Sequence, residues 1–354
     1  MHFRYFIIVD NNQISSLPFF FIIGRPRSGT TLLRTLLDAH PNVIIPHESP
    51  VILNLFNRYI KKVNWSEKDI RNFYNDLKSQ HIFSHWNINE NELFSSLLEC
   101  KGEFTYQGLI KVLYSRFTSV YKKKNTQIIG DKNPVYSYNF NRLFPIFPNA
   151  RIIHITRDYR DQIVSMKKMD FEMPDPALMA YRWKISVKEI SAYTRKYPNQ
   201  FYSLKYEDLV SDPEMKMTEV CNFLGIEYKK EILDFHTIEN VSEFLPVEAM
   251  NKFHSSLLNP ISVKKVNSWK TNLSNKEIKI ADFVVGEYAE RSGYSRNEKS
   301  PFGLYILPSI PFLLYGWIWS FSRKLVPYLP FFIKKRIWKI SPKLPRYMKG
   351  NFKN

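Results

Sequence analysis

The stretch LPFFFIIGRPRSGTTLLRTLLDAHP, Leu17 to Pro41, decides the fold. Leu17 to Ile23 is a continuous apolar run, short, aromatic and β-branched, and Gly24 ends it. Such a run predicts a parallel strand buried on both faces. Ser28 to Asp38 then reads as a helix, with Leu32, Leu33, Leu36 and Leu37 at helical spacing. A strand, a glycine-bearing loop and a helix in this order make an anion site. The first amides of the helix have no internal partner and point outward, and the helix dipole adds to them. Gly29 lets the backbone approach an anion closely, and Ser28, Thr30 and Thr31 bring hydroxyl donors.

The spacing from Gly24 to Thr31 is similar to the phosphate loop GxxxxGK[ST], with one departure: Thr30 stands where that loop has Lys. A P-loop NTPase needs that Lys on its terminal phosphates. Here the cations come earlier, at Arg25 and Arg27. The reading is an anion site of another kind. A nucleotide kinase or NTPase is the runner-up, opposed by Thr30 and by the lack of a clear Mg²⁺-binding carboxylate at a strand end.

Working outward, short apolar runs predict further strands at Val43–Ile45, Ile128–Ile129, Arg151–Thr156 and Phe201–Leu204. Helical periodicity marks Ser66–Tyr121, Asp161–Lys168 and Pro213–Leu224. The alternation predicts an α/β fold: an open, mainly parallel sheet with helices on both faces. Ligands then bind at the carboxyl ends of the strands. Arg157 and Asp158 leave such an end, with Ser165 on the helix that follows. Arg suits phosphate through bidentate, charge-assisted bonds.

The 354 residues carry a formal net charge of +18, very unevenly spread. From Lys299 onward there are 11 Lys or Arg and no Asp or Glu, so the first 298 residues carry only +7. The mildly basic body suits an anionic substrate. Cys100 and Cys221 lie far apart, with no CxxC and no nearby His pattern, so neither a zinc site nor a disulfide framework is expected. Met1–Gln13 is broken by Arg4 and Asp10 and does not read as a signal peptide. These features predict a reducing, cytoplasmic setting. No aromatic-and-basic RNA-binding motif appears, so nucleic acid is not an expected partner.

The run PRSGTTLLRTLLDAHP, Pro26 to Pro41, resembles the phosphosulfate loop of sulfotransferases that use 3′-phosphoadenosine 5′-phosphosulfate (PAPS). It is most similar to the protein-tyrosine sulfotransferases and their bacterial relatives, and the likeness runs in islands from about Phe19 to Tyr294. The resemblance implies a P-loop-NTPase-like sulfotransferase fold, PAPS as donor and no metal. It implies that Arg27, Ser28, Gly29, Thr30 and Thr31 hold the 5′-phosphosulfate, and that Arg157 and Ser165 hold the 3′-phosphate. Some relatives add an Arg where Met169 stands, so Lys167 or Lys168 is the substitute here. Glu48, in Pro46-His47-Glu48-Ser49, matches the general base, with His47 as its rival. Lys132, in Gly130-Asp131-Lys132-Asn133-Pro134, matches a lysine facing the transferring group, and Arg27 shares that catalytic role. Tyr206 matches a nucleotide-contacting Tyr, and Lys264 a phosphate-binding Lys in a late closing segment. A hydroxyl from around Ser255 and Ser256 fits that segment less well, because the spacing is short.

Two departures bear on the acceptor. The tyrosine enzymes carry a disulfide that joins the segments before the base and before the Lys, and this chain lacks those cysteines. They also carry arginines after the base that recognise acidic peptides, whereas Ser49 to Phe56, SPVILNLF, has none. By elimination, a carbohydrate or lipid hydroxyl is the expected acceptor.

The expected division is a sulfotransferase domain over 1–298 and a basic, aromatic-rich apolar tail over 299–354. Phe302 to Ser322 is uncharged, and Lys334-Lys335-Arg336 follow a second apolar stretch. Twenty-one such residues are long enough to span a bilayer. Pro308 and Pro311 interrupt them, however, and a span would separate the body from cytosolic PAPS. The expectation is peripheral attachment to an anionic membrane surface, with a single-pass span and a hairpin packed on the body as alternatives. A third reading is a non-catalytic polyanion- or membrane-binding relative; the unequal, motif-localised cations of the body oppose it, although a degenerate enzyme would look similar.

Overall fold

A computed structural model describes residues 10–80, 86, 88–169, 172–237, 259–299 and 303–325, with 329 and 333 as isolated positions. Ser255, Ser256 and the basic run 334–336 lie outside the described residues.

In chain order, β1 is Phe19–Ile23, α1 Thr30–Ala39, β2 Val43–Ile44, α2 Val51–Tyr59 and β3 Asn64–Trp65. Next come α3 Glu67–Lys78, α4 Glu90–Glu99, β4 Gly102–Glu103, α5 Tyr106–Ser115 and β5 Ile128–Lys132. They are followed by β6 Arg151–Thr156, α6 Tyr159–Met166, α7 Pro176–Lys196, β7 Phe201–Lys205 and α8 Pro213–Leu224. Towards the end lie α9 Asn275–Val285 and α10 Ile310–Leu325. The five main strands form one parallel sheet in the order β2-β5-β1-β6-β7, and β3 and β4 make a separate antiparallel pair.

The sheet is covered on both faces, which explains the unbroken apolar run of β1. Successive side chains of a strand point to opposite faces. Phe19, Phe21 and Ile23 enter one core with residues of α2 to α5, while Phe20 and Ile22 enter the other with Leu33, Leu36 and Leu37 of α1. Cys100 belongs to the first core and Cys221 to the second, so the sheet lies between them. A third cluster joins α6, α7 and α9 through Tyr159, Trp183, Ala281 and Val285.

The helical stretch expected over Ser66–Tyr121 is three helices interrupted by β4. The third strand continues to Lys132, because Gly130 and Asp131 still pair with β1. The 21-residue α7 has no counterpart among the expected helices. Its start is nevertheless written in the sequence as Asp175-Pro176: the Asp175 side chain accepts from the amide of Leu178, and Pro176 occupies the first turn. Buried Arg182 and Ser186 break its apolar face and hide its periodicity.

The boundary expected at 298/299 is crossed by packing. Helix α10 lies on α7, and Gly316 faces that helix. A Cβ at Gly316 would lie 2.9 Å from the Tyr181 ring. Trp319 is buried on α10, and Ile306 and Ser309 are buried in the turn that leads into it.

Candidate functional site

Register brings the candidate residues to one edge. Ile22 pairs with Lys132 and Ile23 with His154, so β1, β5 and β6 end at the same level. Gly24, Lys132, Arg157 and Tyr206 lie at the carboxyl ends of β1, β5, β6 and β7.

The loop after β1 is folded tightly against its neighbours. A Cβ on Gly24 would sit 2.3 Å from the Ile155 carbonyl oxygen, so this position admits only glycine. Gly29 has φ 93° and caps α1 in the left-handed region. Its missing side chain makes room for the Tyr206 ring, which would lie 2.5 Å from a Cβ. Helix α1 starts at Thr30, two residues later than expected. A turn delays it, in which the Ser28 amide donates to the Arg25 carbonyl at 3.2 Å. Ser28 and Thr30 are buried and Thr31 is half-buried.

Arg27 has φ 69°, a left-handed backbone that is uncommon outside glycine. Its Nε donates to Ser165 Oγ at 3.0 Å, and its carbonyl accepts from Arg157 Nη1 at 3.3 Å. Burial pushes the Arg27 pKa down, and the Arg157 charge pushes the same way. Lys265 is also lowered, by burial first and then by Arg27, Arg157 and Lys168. Arg157 Nε is buried with no hydrogen-bond partner among the described residues. Arg27 and Lys265, both lowered by burial and by neighbouring cations, beside an orphaned guanidinium nitrogen, fit a multiply charged anion such as PAPS. The Arg157 guanidinium also lies 4.6 Å from the centroid of the Tyr206 ring.

The closing segment is held by a residue that sequence reasoning missed. Asp161 accepts from the amide of Asn267 at 2.8 Å, the hydroxyl of Ser268 at 2.8 Å and the amide of Trp269 at 2.9 Å. This clasp brings Lys265, the neighbour of the expected Lys264, to the arginines, and the Lys265 carbonyl accepts from Arg157 Nη2 at 2.6 Å. The Lys265 ammonium feels the charges of Arg27 and Arg157. The Lys264 amide donates to Ser262 Oγ. Of the two lysines offered for Met169, Lys167 pairs with Glu277 at 2.6 Å, while Lys168 acts on Lys265.

Glu48 and Lys132 meet directly, with Lys132 Nζ 2.7 Å from Glu48 Oε2. The lysine side chain is only 7% exposed, the glutamate 44%. The carboxylate is therefore open to solvent while the ammonium is shielded. The neighbouring Asp131 is buried, and burial pushes its carboxyl up to about 7 against the opposing pull of the Tyr136 and Tyr114 hydroxyls.

Arg25 is directed elsewhere. Its Nη2 donates to both oxygens of Glu172 at 3.2 and 3.0 Å, and its Nη1 to the Tyr138 hydroxyl at 3.0 Å. Arg182 donates to the same Glu172 at 2.9 Å and lies 4.6 Å from the Trp319 ring centroid. The cation read as part of the phosphate loop thus ties that loop to α7 and α10. Glu207 accepts from the Asp158 amide and the Tyr294 hydroxyl, both at 3.0 Å, in a structural role.

These features place a cluster of cations at the carboxyl edge of a P-loop-like parallel sheet. The model of the Sulfotransferase family matches residues 18–230, more than half of the chain, and the chain belongs to that family. It is a PAPS-dependent transferase. Protein-tyrosine sulfotransferase A of Caenorhabditis elegans is 26% identical over 304 residues, covering 82% of this chain and 71% of the relative. Protein-tyrosine sulfotransferase of Drosophila melanogaster is 23% identical over 272 residues, covering 73% of this chain but only 49% of the relative. The sulfotransferase domain of the Synechococcus PCC 7002 olefin synthase shares the fold, with a TM-score of 0.53, 19% identity and coverage of 76% of this chain and 94% of that one.

Proposed function

We propose that the chain transfers a sulfuryl group from PAPS to a carbohydrate or lipid hydroxyl, with Glu48 as general base. The observation that carries the proposal is the Lys132–Glu48 pair at 2.7 Å, at the strand edge that bears the phosphate loop. PAPS supplies the sulfuryl group. Arg27, Ser28, Gly29, Thr30 and Thr31 hold its phosphosulfate end. Arg157, Ser165 and Lys265 hold the 3′-phosphate, with Lys168 adding charge and Tyr206 forming a wall.

The ion pair gives the two side chains linked tasks. The Glu48 carboxylate, oriented by Lys132, takes the acceptor's hydroxyl proton as the new S–O bond forms. Neutralising Glu48 releases the Lys132 charge from its partner. The ammonium then stabilises the negative charge that grows on the bridging oxygen as the old S–O bond breaks. Arg27 assists from the loop. Residues 1–298 carry this chemistry, and the basic tail attaches the chain to an anionic membrane surface on the cytoplasmic side.

The test is transfer of radiolabelled sulfate from PAPS to glycans, to lipid extracts and to tyrosine peptides. Label in the glycan or lipid fraction that disappears with Glu48→Gln supports the proposal. Tyrosine is the second reading, favoured by the names of the relatives, and label confined to acidic peptides would replace the first reading with it.

A further inference from the structure

Helix α10 has two unlike faces. The inner face is docked: Gly316 rests against Leu178 and Tyr181 of α7, and Trp319 covers Arg182. The outer face is apolar and exposed. Ile310, Leu314, Trp317, Ile318, Phe321 and Leu325 are all open to solvent. They recur at the three- and four-residue steps that place side chains on one side of a helix, so they form a single stripe. Trp317 and Phe321 stack on this face, with ring centroids 6.2 Å apart and planes 15° apart.

Charge identifies the occupant. From Ile310 to Ser322 there is no charged residue, and from Arg323 to the end there are ten Lys or Arg and no acid. An apolar stripe that runs into a segment whose charges are all positive complements an anionic bilayer surface, where acyl chains lie beneath a charged headgroup layer.

The docked face fixes how the helix sits. A spanning helix would have to leave α7 or draw it into the hydrocarbon. Either movement would uncover the buried Arg25–Glu172–Arg182 cluster beneath Trp319, and unpaired or lipid-facing charge is costly. We infer that α10 lies in the plane of an anionic membrane, its inner face on the body and its Leu314–Ile318 face among the lipids. This inference rests on the tail attachment proposed above and adds the face and the orientation.

The test uses the full chain, carrying a C-terminal tag, with sealed vesicles of phosphatidylcholine with and without phosphatidylserine. The parent should sediment with the anionic vesicles, and external protease should remove the tag completely. The double variant Leu314→Glu/Ile318→Glu should bind at least about tenfold more weakly, since both apolar side chains lose their burial. Trp317→Ser/Phe321→Ser is the milder second variant and should weaken binding in the same direction. Circular dichroism and binding of the product nucleotide, adenosine 3′,5′-bisphosphate, should match the parent in both.

If both face variants bind like the parent while Lys334→Ala/Lys335→Ala/Arg336→Ala does not, attachment through the tail cations stands and the in-plane helix is overturned. A parent that ignores anionic vesicles overturns the attachment and the inference together. A tag protected from protease means a span, and overturns the orientation. A lipid-free dimer that Leu314→Glu/Ile318→Glu dissociates assigns the face to a second copy and also overturns the inference.

Discussion

At 2.7 Å from Glu48, the ammonium of Lys132 has an anionic partner before any acceptor arrives. Glu48→Gln keeps the shape of that contact and removes the proton acceptor. Transfer should fall by about 10²–10³-fold, while the affinity for product nucleotide, measured by calorimetry, stays within about twofold. A Glu48→Gln enzyme with normal turnover beside an inactive His47→Ala would make the histidine the base. Asp131, one residue before Lys132, gives a pH prediction. Burial pushes its carboxyl up to about 7 in the folded chain, against about 4 when unfolded. The folded state therefore holds an extra proton between those values, and stability falls as pH rises through that window. Asp131→Asn should remove this slope, for a gain at pH 8 of at most about 4 kcal/mol. Denaturant unfolding at pH 5 and pH 8 measures it, and an unchanged slope would refute the assignment.

Asp161 shows how one side chain shapes a segment far along the chain. It accepts from Asn267, Ser268 and Trp269, and its Oδ2 lies 3.9 Å from Arg157 Nη2. Asp161→Ala removes these bonds and leaves two backbone amides to find new partners, a loss of about 1–3 kcal/mol for the buried Trp269 amide alone. Product-nucleotide affinity should weaken by about tenfold or more, with the body still folded by circular dichroism. Unchanged affinity would mean that the segment is no part of the donor site. The same clasp explains what the sequence could and could not show. β1, the phosphate loop and the Arg157 strand end were legible, because local periodicity and glycine placement set them. The docking of the segment around Lys264 and Lys265 on Arg157 was not. It depends on a turn anchored by a residue more than a hundred positions away, which adjacent letters do not record. Arg25 is a second case: Glu172, which claims it, gives no local sign.

At the scale of the whole molecule, α10 joins the body by the contact that also steadies the loop. Trp319 covers Arg182, Arg182 and Arg25 share Glu172, and Arg25 follows Gly24 in the phosphate loop. Composition alone separates the tail from the body, since every tail charge has one sign, yet composition cannot register a tryptophan packed over a buried arginine. Removing residues 303–354 should therefore cost more than membrane attachment. It uncovers the ion cluster, and water then competes for Glu172. Trp319→Ala isolates this part of the loss and should destabilise the fold by about 3 kcal/mol, the usual cost of emptying a buried tryptophan site. The truncated chain should melt earlier than Trp319→Ala and bind product nucleotide more weakly than the full chain, because Arg25 no longer holds its end of the loop. Thermal melts and calorimetry on the two proteins in lipid-free buffer separate this from any effect of vesicles. A truncated chain with the full chain's melting temperature and nucleotide affinity would show that α10 merely rests on the body, and that 298/299 divides body from tail.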